Sequence, residues 1–396
     1  MASEAIVTKK LLIAVAALAL IGAACGDSKD DNNGAASSNG PNTVIVNVDA
    51  KSDAAANGFS TAFTQYFPAA VTVHPGDSVK FVENWTGEPH TVSFGTLVTA
   101  GLAAADPLPP GAPQPAELLK VPDIFPPGQG DAVQTSGQPC FLATGDLPLN
   151  GAACAKVTPE PAFTGTETYF NSGFLPEGTS WTLKLASDIA PGTYRYMCAI
   201  HRNGMQGKVT VVAKTAKAQT AAQVASAGAS ESSTAIAKMK AVYAGFSKLT
   251  ADTAAAGGGA PDVPAGIIAE FGPKTLTVKA NSTVTWDVGG PHTISFNAPE
   301  SAVGAMTKAP DGTVHLNSAA LAPSGGGTGG SPAPPTAPTV LNGGKFDGTG
   351  FYSSGSLLGF GPPGILKYKL TFTKAGTYQY RCLFHPDMQG TVNVTA

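Results

Sequence analysis

The segment "APGTYRYMCAIHRNGMQGKVTVV" (190–212) decides the fold, because it recurs at the other end of the chain. Residues 374–396 read "KAGTYQYRCLFHPDMQGTVNVTA" and match it almost position for position. In both segments an alternating strand pattern leads to a Cys, which is followed by a His and then by a Met. In the first, Tyr194, Tyr196 and Cys198 fall on one face, as expected of a β-strand.

Two further segments recur in the same order. "NWTGEPHTVSF" (84–94) matches "TWDVGGPHTISF" (285–296), and residues 169–185 resemble residues 350–372. Three matches in one order indicate a duplicated domain. The intervening stretches, about 97–166 and 298–348, are rich in Pro, Gly, Ala and Ser and are interpreted as long surface insertions. Short alternating strands around turns predict a mainly β fold of two antiparallel sandwiches.

The composition agrees with this fold class. The chain has 396 residues, enough for two or three domains that each bury a core. It contains 47 Gly and 32 Pro while only 13% of its residues are charged, which favours short strands and turns over long charged helices. A net charge of −3 without a basic stripe argues against nucleic acid as a partner. Between the repeats, residues 214–263 are Ala-rich and are predicted to form a partly helical linker.

The N-terminus predicts export. Lys9 and Lys10 precede an apolar run of 14 residues (11–24), which is too short for a membrane span of roughly 20 residues and fits the core of a signal peptide. The run ends in "LIGAAC" and is followed by a polar stretch (26–41), which we expect to be a flexible tether. This pattern resembles a bacterial lipoprotein signal (1–25) with Cys25 as the lipidated residue, although Gly22 departs from the usual branched aliphatic residue. Ordinary secretion is the alternative, and both place the mature protein outside the cytoplasm.

The remaining cysteines form two groups. Cys140 and Cys154 lie 14 residues apart, and in an exported protein a disulfide is the default for such a pair. By loop-closure arithmetic it would contribute about 3 kcal/mol locally. Cys198 and Cys382 occur once in each repeat. A disulfide between Cys198 and Cys382 is one possibility. The other is that each cysteine acts within its own repeat, which is favoured because each has its own His and Met beside it.

The repeated Cys, His and Met residues predict a metal site in each repeat. A thiolate, two imidazoles and a thioether form a soft ligand set that suits copper alternating between Cu(I) and Cu(II). The matched Pro-His segments place His90 and His292 to supply the second imidazole. His74 and His315 have no counterpart and are expected to be solvated loop residues. A buried thiol beside a core histidine, or a zinc site, explains the repeated pattern less well.

Both repeats resemble the cupredoxins, the plastocyanin, azurin and amicyanin family of small blue-copper Greek-key β-sandwiches. The resemblance covers about 60–100 and 167–213, then about 265–297 and 349–396, within predicted domains at 42–213 and 264–396. It implies one copper per domain and two per chain. The ligands that it implies are His90, Cys198, His201 and Met205 in the first domain, and His292, Cys382, His385 and Met388 in the second. Thr91 and Thr293 are implied to hold the ligand loops. The second loop has amicyanin-like spacing, whereas the first has one more residue, which leaves open whether Met205 reaches the metal.

The resemblance implies electron transfer rather than catalysis. Expected partners are redox proteins of the cell envelope, with membrane attachment through Cys25. Leu383, Phe384, Pro386 and Met388 around His385 are interpreted either as an apolar docking collar or as residues that close the sandwich end. Copper capture and delivery at the cell surface remains an alternative. A multicopper oxidase or a copper nitrite reductase fits less well, because the chain has six histidines and lacks any His-x-His pair.

Overall fold

The computed structural model describes residues 41–50, 57–84, 86–108, 113–121, 137–147, 154–155, 157–260, 262–312, 314–325, 339–358 and 365–396. The predicted signal peptide, Cys25 and nearly all of the tether lie outside these residues. Within them, no helix is long and apolar enough to cross a membrane.

The first repeat forms two sheets that face each other. One has the strand order β3-β1-β5-β9 and the other the order β4-β11-β10-β6-β8-β7. The strands are β1 (Thr43–Val48), β2 (Thr61–Phe63), β3 (Tyr66–Phe67), β4 (Ala70–Val73), β5 (Ser78–Glu83), β6 (Ser93–Phe94), β7 (Cys140–Leu142), β8 (Tyr169–Asn171), β9 (Ser180–Lys184), β10 (Gly192–Cys198) and β11 (Arg202–Val211).

The second repeat has the same arrangement. Its sheets have the orders β14-β12-β16-β24-β21 and β15-β26-β25-β18-β22. The strands are β12 (Thr253–Gly257), β13 (Gly266–Ile268), β14 (Phe271–Gly272), β15 (Thr275–Lys279), β16 (Thr283–Gly289), β17 (Pro291–His292), β18 (Ser295–Phe296), β19 (Met306–Lys308), β20 (Val314–Leu316), β21 (Thr339–Phe346), β22 (Tyr352–Ser353), β23 (Leu357–Leu358), β24 (Ile365–Phe372), β25 (Gly376–Arg381) and β26 (Gln389–Thr395).

The predicted mainly β sandwich class is confirmed, but the sheets are mixed rather than purely antiparallel. β1 pairs with β5 and β4 pairs with β11 in parallel, as do β12 with β16 and β15 with β26. β1 and β4 lie close in sequence but join different sheets. Each pairs with a later strand, β5 or β11, after the chain has passed through the opposite sheet, and such a long crossover is what parallel pairing requires.

Alternating burial explains why these segments form strands. In β5 the side chains of Val79, Phe81 and Glu83 are buried while those between them are partly exposed. β16 repeats this pattern around Trp286, which is fully buried. Aromatic rings fill the space between the two sheets in each repeat, with Phe81 and Tyr196 in edge contact in the first. One apolar face on each strand therefore closes each sandwich.

The predicted helix in the linker is present as α3 (Ala221–Gly245), following two shorter helices, α1 (Thr96–Ala105) and α2 (Ala116–Leu119). Thr220 starts α3 with a capping box, in which its hydroxyl accepts from the Gln223 N–H and the Gln223 side chain accepts from the Thr220 N–H. A later helix, α4 (Ser318–Leu321), is short.

Two predicted boundaries differ from the structure. β12, at 253–257, lies within the segment interpreted as linker, yet it is a central strand of the second sandwich. Its Thr-Ala-Ala-Ala-Gly sequence favours helix by composition, and pairing with β16 overrides that preference. β21, at 339–346, lies within the predicted second insertion but forms the edge of a sheet.

The insertion of the first repeat is packed against the sandwich. Met197 points away from the sandwich core and is fully buried in a separate apolar cluster with residues of α1 and α2. A disulfide joins Cys140 and Cys154, as predicted from their spacing in an exported chain. Arg202, which is buried beside His201, donates to the carbonyl oxygens of Leu118 at 2.7 Å and Val121 at 3.1 Å. The insertion is thereby tied to the loop that carries His201.

The two repeats contact each other directly. β2 of the first repeat pairs antiparallel with β13 of the second. An apolar cluster that includes Phe63, Met239 and Ile268 joins both repeats to α3. Across the same boundary the Ser60 N–H donates to the Glu270 carboxylate at 3.2 Å. The linker is therefore a packed element of the interface and not a free spacer.

Candidate metal centres

Three side chains of the second repeat converge at one end of its sandwich. His292 comes from β17, Cys382 directly follows β25, and His385 lies in the loop after it. The Nδ1 atoms of His292 and His385 are 3.2 Å apart, and the Cys382 Sγ lies 4.0 Å from the first and 3.5 Å from the second. We call these three residues the second cluster.

The first repeat contains the equivalent group. His90, Cys198 and His201 place one ligand atom each within 4.8 Å of one another, and we call them the first cluster. The imidazole centroids are 5.0 Å apart with an interplanar angle of 52°, against 4.9 Å and 54° in the second cluster. The two repeats thus build the same local geometry.

In each repeat a threonine, Thr91 or Thr293, is hydrogen-bonded to the loop that begins with the buried cysteine. In the second repeat the Thr293 hydroxyl accepts from the Leu383 N–H at 2.7 Å, while the Thr293 N–H donates to the Cys382 sulfur at 3.4 Å. In the first repeat Thr91 makes the same pair of contacts, with the Ala199 N–H at 2.8 Å and the Cys198 sulfur at 3.3 Å. Each threonine therefore links the upstream His segment to the Cys loop.

The spacing of the ligand atoms in the second cluster fits one metal ion. Nitrogen and sulfur atoms that bind a first-row ion at roughly 2.0–2.3 Å lie about 3–4 Å from each other, as they do in the second cluster. The Nδ1 atom of His201 is buried without a hydrogen-bond partner, so it is free to face an ion. His2Cys is the equatorial set of blue-copper sites.

The two methionines belong to the apolar cores that contain the cysteines of the clusters. Met205 belongs to the same apolar cluster as Cys198, and Met388 to the same one as Cys382, and both are buried. Backbone hydrogen bonds close the second loop, from the Met388 N–H to the His385 carbonyl and from the Cys382 N–H to the Met388 carbonyl. Met205 lies instead in β11, among residues 203–205, which have no partner in β10 because the register shifts between Met197 and Cys198.

The electrostatics favour thiolates. Burial alone raises the pKa of the Cys198 and Cys382 thiols, but the adjacent imidazoles outweigh it, and both pKa values lie well below the ordinary range. Burial lowers the pKa of His385, but the contacts with Cys382 and Glu88 outweigh burial and raise this pKa to about 10. The pKa of the downstream histidine is thus raised in both clusters, mainly by the adjacent thiolate, whereas burial lowers the pKa of His292.

Buried carboxylates surround the first cluster, and sequence reasoning missed them. Asp49 Oδ2 lies 3.6 Å from His90 Nε2, and Glu88 Oε2 lies 3.6 Å from His201 Nε2. Glu83 is buried with neither carboxylate oxygen hydrogen-bonded, and burial raises its pKa. The sequence contained one signal for Glu88: it directly precedes the repeated Pro-His, where the second repeat has Gly290.

The second cluster has no equivalent of Asp49. β1 pairs Val48 with Glu83 and β12 pairs Ala256 with Val288, so Asp49 corresponds to Gly257. A Cβ at position 257 would lie 1.9 Å from His292 Nε2, which leaves room only for glycine. His292 Nε2 is buried without a hydrogen-bond partner. The clusters therefore share ligand geometry but differ in surrounding charge.

Two sequence interpretations concern the histidines outside the clusters and the apolar residues around His385. His74 is half-buried, with its Nε2 2.9 Å from the Ala216 carbonyl oxygen, and in the described part of the chain neither it nor His315 belongs to a metal-ligating group. Within the apolar collar around His385, Pro386 is exposed, whereas Leu383, Phe384 and Met388 are buried and are not available to a docking partner. These residues close the sandwich end, the alternative given above.

Comparisons with known proteins find partial similarity to solved structures. No protein family and no curated protein matches it. Solved structures that resemble it include a Cu(I) form of an amicyanin mutant, at 15% identity over 43% of this chain and 82% of that chain, with a TM-score of 0.20. Dithionite-reduced auracyanin from Roseiflexus castenholzii has 18% identity over 44% of this chain and 98% of that chain, with a TM-score of 0.22. Auracyanin A from Chloroflexus aurantiacus, described as a "blue" copper protein, has 17% identity over 44% and 100%, with a TM-score of 0.21. These neighbours are cupredoxins.

Proposed function

We propose that this chain is an exported electron carrier with two type 1 copper sites, one in each repeat. The observation that carries the proposal is the recurrence of one buried thiolate and two imidazoles, in the same geometry, at the end of both sandwiches. We assign His90, Cys198, His201 and Met205 to one copper, and His292, Cys382, His385 and Met388 to the other. A copper ion in either site would supply a one-electron couple between Cu(I) and Cu(II).

The surrounding chain favours electron transfer because it restrains the ligands. Cys382 follows a paired strand, His292 lies in β17, and the Thr293 hydroxyl joins their two segments. Burial excludes water from the thiolate and limits side-chain movement. Ligands held in this way keep similar positions in both oxidation states, so little rearrangement accompanies the gain or loss of an electron.

The proposal extends to location and partners. We propose that the polar stretch after Cys25 tethers the protein to the outer side of the cytoplasmic membrane through a lipidated Cys25. Redox proteins of the cell envelope are the proposed donors and acceptors. His201 is the more accessible of the two downstream histidines, because its side chain is 17% exposed whereas that of His385 is 1% exposed.

Copper loading tests the function directly. The variants Cys198→Ser and Cys382→Ser are each loaded with Cu(II) in residues 26–396, and the visible spectrum and bound copper are measured. We expect two coppers in the parent protein and loss of roughly half of the thiolate-to-copper absorption in each variant. Absence of that absorption in the parent would overturn the proposal.

A second measurement separates electron transfer from copper delivery. The loaded protein is examined by voltammetry and is then mixed with a Cu(I) chelator. A reversible wave with slow copper loss supports electron transfer. Rapid loss without a reversible wave indicates delivery, and more than two coppers with activity on phenols or nitrite indicates an enzyme.

A further inference from the structure

A single carboxylate contacts the downstream histidines of both clusters. Glu88 lies in the loop between β5 and β6 of the first repeat and is only 4% exposed. Its Oε2 lies 3.6 Å from His201 Nε2, and its Oε1 lies 3.0 Å from His385 Nε2. One carboxyl group therefore separates two imidazoles that belong to different repeats.

The ring orientations define which atoms face this carboxylate. His385 Nδ1 points toward Cys382 and His292, so its Nε2 is the atom left for Glu88. His201 Nδ1 has no hydrogen-bond partner, whereas its Nε2 faces the other carboxylate oxygen. Metal-binding histidines commonly donate the N–H of the distal ring nitrogen to a carboxylate. Here the Nε2 of His385 lies within hydrogen-bond distance of Glu88 at 3.0 Å, and the Nε2 of His201 lies just beyond it at 3.6 Å.

The backbone of the first repeat is shaped for this contact. Gly87 has a φ of 104°, in the region that favours glycine. A Cβ at position 87 would lie 2.1 Å from the Phe384 carbonyl oxygen and 2.9 Å from the His385 Cα. The Glu88 loop can therefore lie directly on the ligand loop of the second repeat only because residue 87 lacks a side chain.

The first repeat supplies the carboxylate of this contact, and the matched position of the second repeat is a glycine. The residue before the repeated Pro-His is Glu88 in the first repeat and Gly290 in the second, so no equivalent carboxylate returns from the second repeat. The β2–β13 pairing and the apolar cluster around α3 fix the repeats in this orientation. As a result His385 is covered by the first repeat, while His201 keeps an exposed edge.

We propose that Glu88 connects the two clusters electronically, so that the first cluster is the port through which the second exchanges electrons with partners. This inference rests on the proposed function. With copper bound in both clusters, His201, Glu88 and His385 would form the path for one electron, so that one site would be oxidised as the other is reduced. No covalent bond forms or breaks, and each ring proton stays on its Nε2 atom.

Reduction kinetics by a bulky donor test the proposal. The fully oxidised two-copper protein, and the single-site proteins Cys382→Ser and Cys198→Ser, are mixed with a reduced c-type cytochrome. Cys382→Ser keeps the first copper and should be reduced at the parent rate. Cys198→Ser keeps only the covered second copper and should be reduced at least tenfold more slowly. The parent should be reduced in one phase, and equal rates in the two single-site proteins would overturn the port assignment.

Glu88→Gln isolates the carboxylate. Glutamine keeps the size and cover of the side chain, but its amide offers one acceptor oxygen where two N–H groups need one each. Reduction should then split into a fast half and a slow half, while both coppers and the full absorption remain. A single phase at the parent rate would refute the role of Glu88. Glu300→Gln, an exposed glutamate of the second repeat, is the matched control and should stay monophasic.

A measurement without redox chemistry supports the same assignment. In the Zn(II)-loaded parent, proton NMR should show two downfield imidazole N–H signals that exchange slowly with solvent. At least one should move or disappear in Glu88→Gln, and unchanged signals would count against the contact of Glu88 with the two imidazoles. Loss of absorption in the copper-loaded parent would instead reject the proposed function, so the two failures are distinguishable.

Discussion

Replacing Thr293 with valine removes the hydroxyl that ties the second ligand loop to the upstream histidine segment. Thr293 is fully buried, and its hydroxyl accepts from the Leu383 N–H at 2.7 Å and from the Ser295 hydroxyl at 3.1 Å. Ser295 retains Ser353 as a partner at 2.9 Å, so the Leu383 N–H is the one group that loses its acceptor. An unsatisfied buried donor costs about 1–3 kcal/mol.

We expect Thr293→Val to lower the free energy of unfolding of the metal-free protein by about 1–3 kcal/mol. Because the orphaned N–H adjoins Cys382, copper affinity at the second site should also fall, by about 10–100-fold, as for other residues that support metal ligands. Urea unfolding followed by circular dichroism measures the first effect. Competition with a Cu(I) chelator measures the second.

Thr293→Ser is the control. It keeps the hydroxyl and loses one methyl group, so its cost should be only about 0.8 kcal/mol and its copper affinity should stay near that of the parent. Thr91→Val, which orphans the Ala199 N–H, should reproduce the loss at the first site alone. If the serine variant lost as much affinity as the valine variant, the hydroxyl could not be what holds the loop.

Two further predictions follow from close contacts. Gly228→Ala should lower the free energy of unfolding, because a methyl group on this face of α3 would lie 2.7 Å from a backbone carbonyl oxygen. Gly245→Ala, in open space at the end of the same helix, should raise the free energy of unfolding by up to about 1 kcal/mol. Thermal unfolding that ranks the two variants the other way would refute the packing described for α3. Asp49→Asn should raise the reduction potential of the first copper and leave the second unchanged, because it removes a buried carboxylate 3.6 Å from the upstream imidazole of the first cluster only. Potentiometric titration of the two single-site proteins checks this, and equal shifts at both sites would contradict it.

The sequence was informative wherever function depends on short spacing. Cys198 and His201 are three residues apart, so one strand end and one tight loop bring these two side chains together. Thr91 directly follows His90, so the position of one fixes the position of the other. The alternation in β5 and β16 similarly reflects burial on one face, which spacing alone reveals. For these reasons the sandwich class and the positions of the two His/Cys groups could be predicted.

The orientation of the repeats could not be predicted in the same way. Glu88 and His385 are 297 residues apart, and their contact depends on how two finished sandwiches pack. β12 was hidden by its alanines, whose helix preference is overcome by pairing with β16. Asp49 gave no signal, because its partner His90 lies in a different strand connection. Long-range packing of this kind leaves no periodic trace in sequence.

The cover over the second cluster also governs how an ion enters it. Its cysteine and both its histidines are at most 1% exposed, whereas His201 keeps part of its ring at the surface. An ion reaches the second cluster only during a local opening of the loop or of the contact between the repeats. Uptake and release there are therefore limited by the frequency of opening rather than by affinity. A chain exposed briefly to copper should fill its first site before its second.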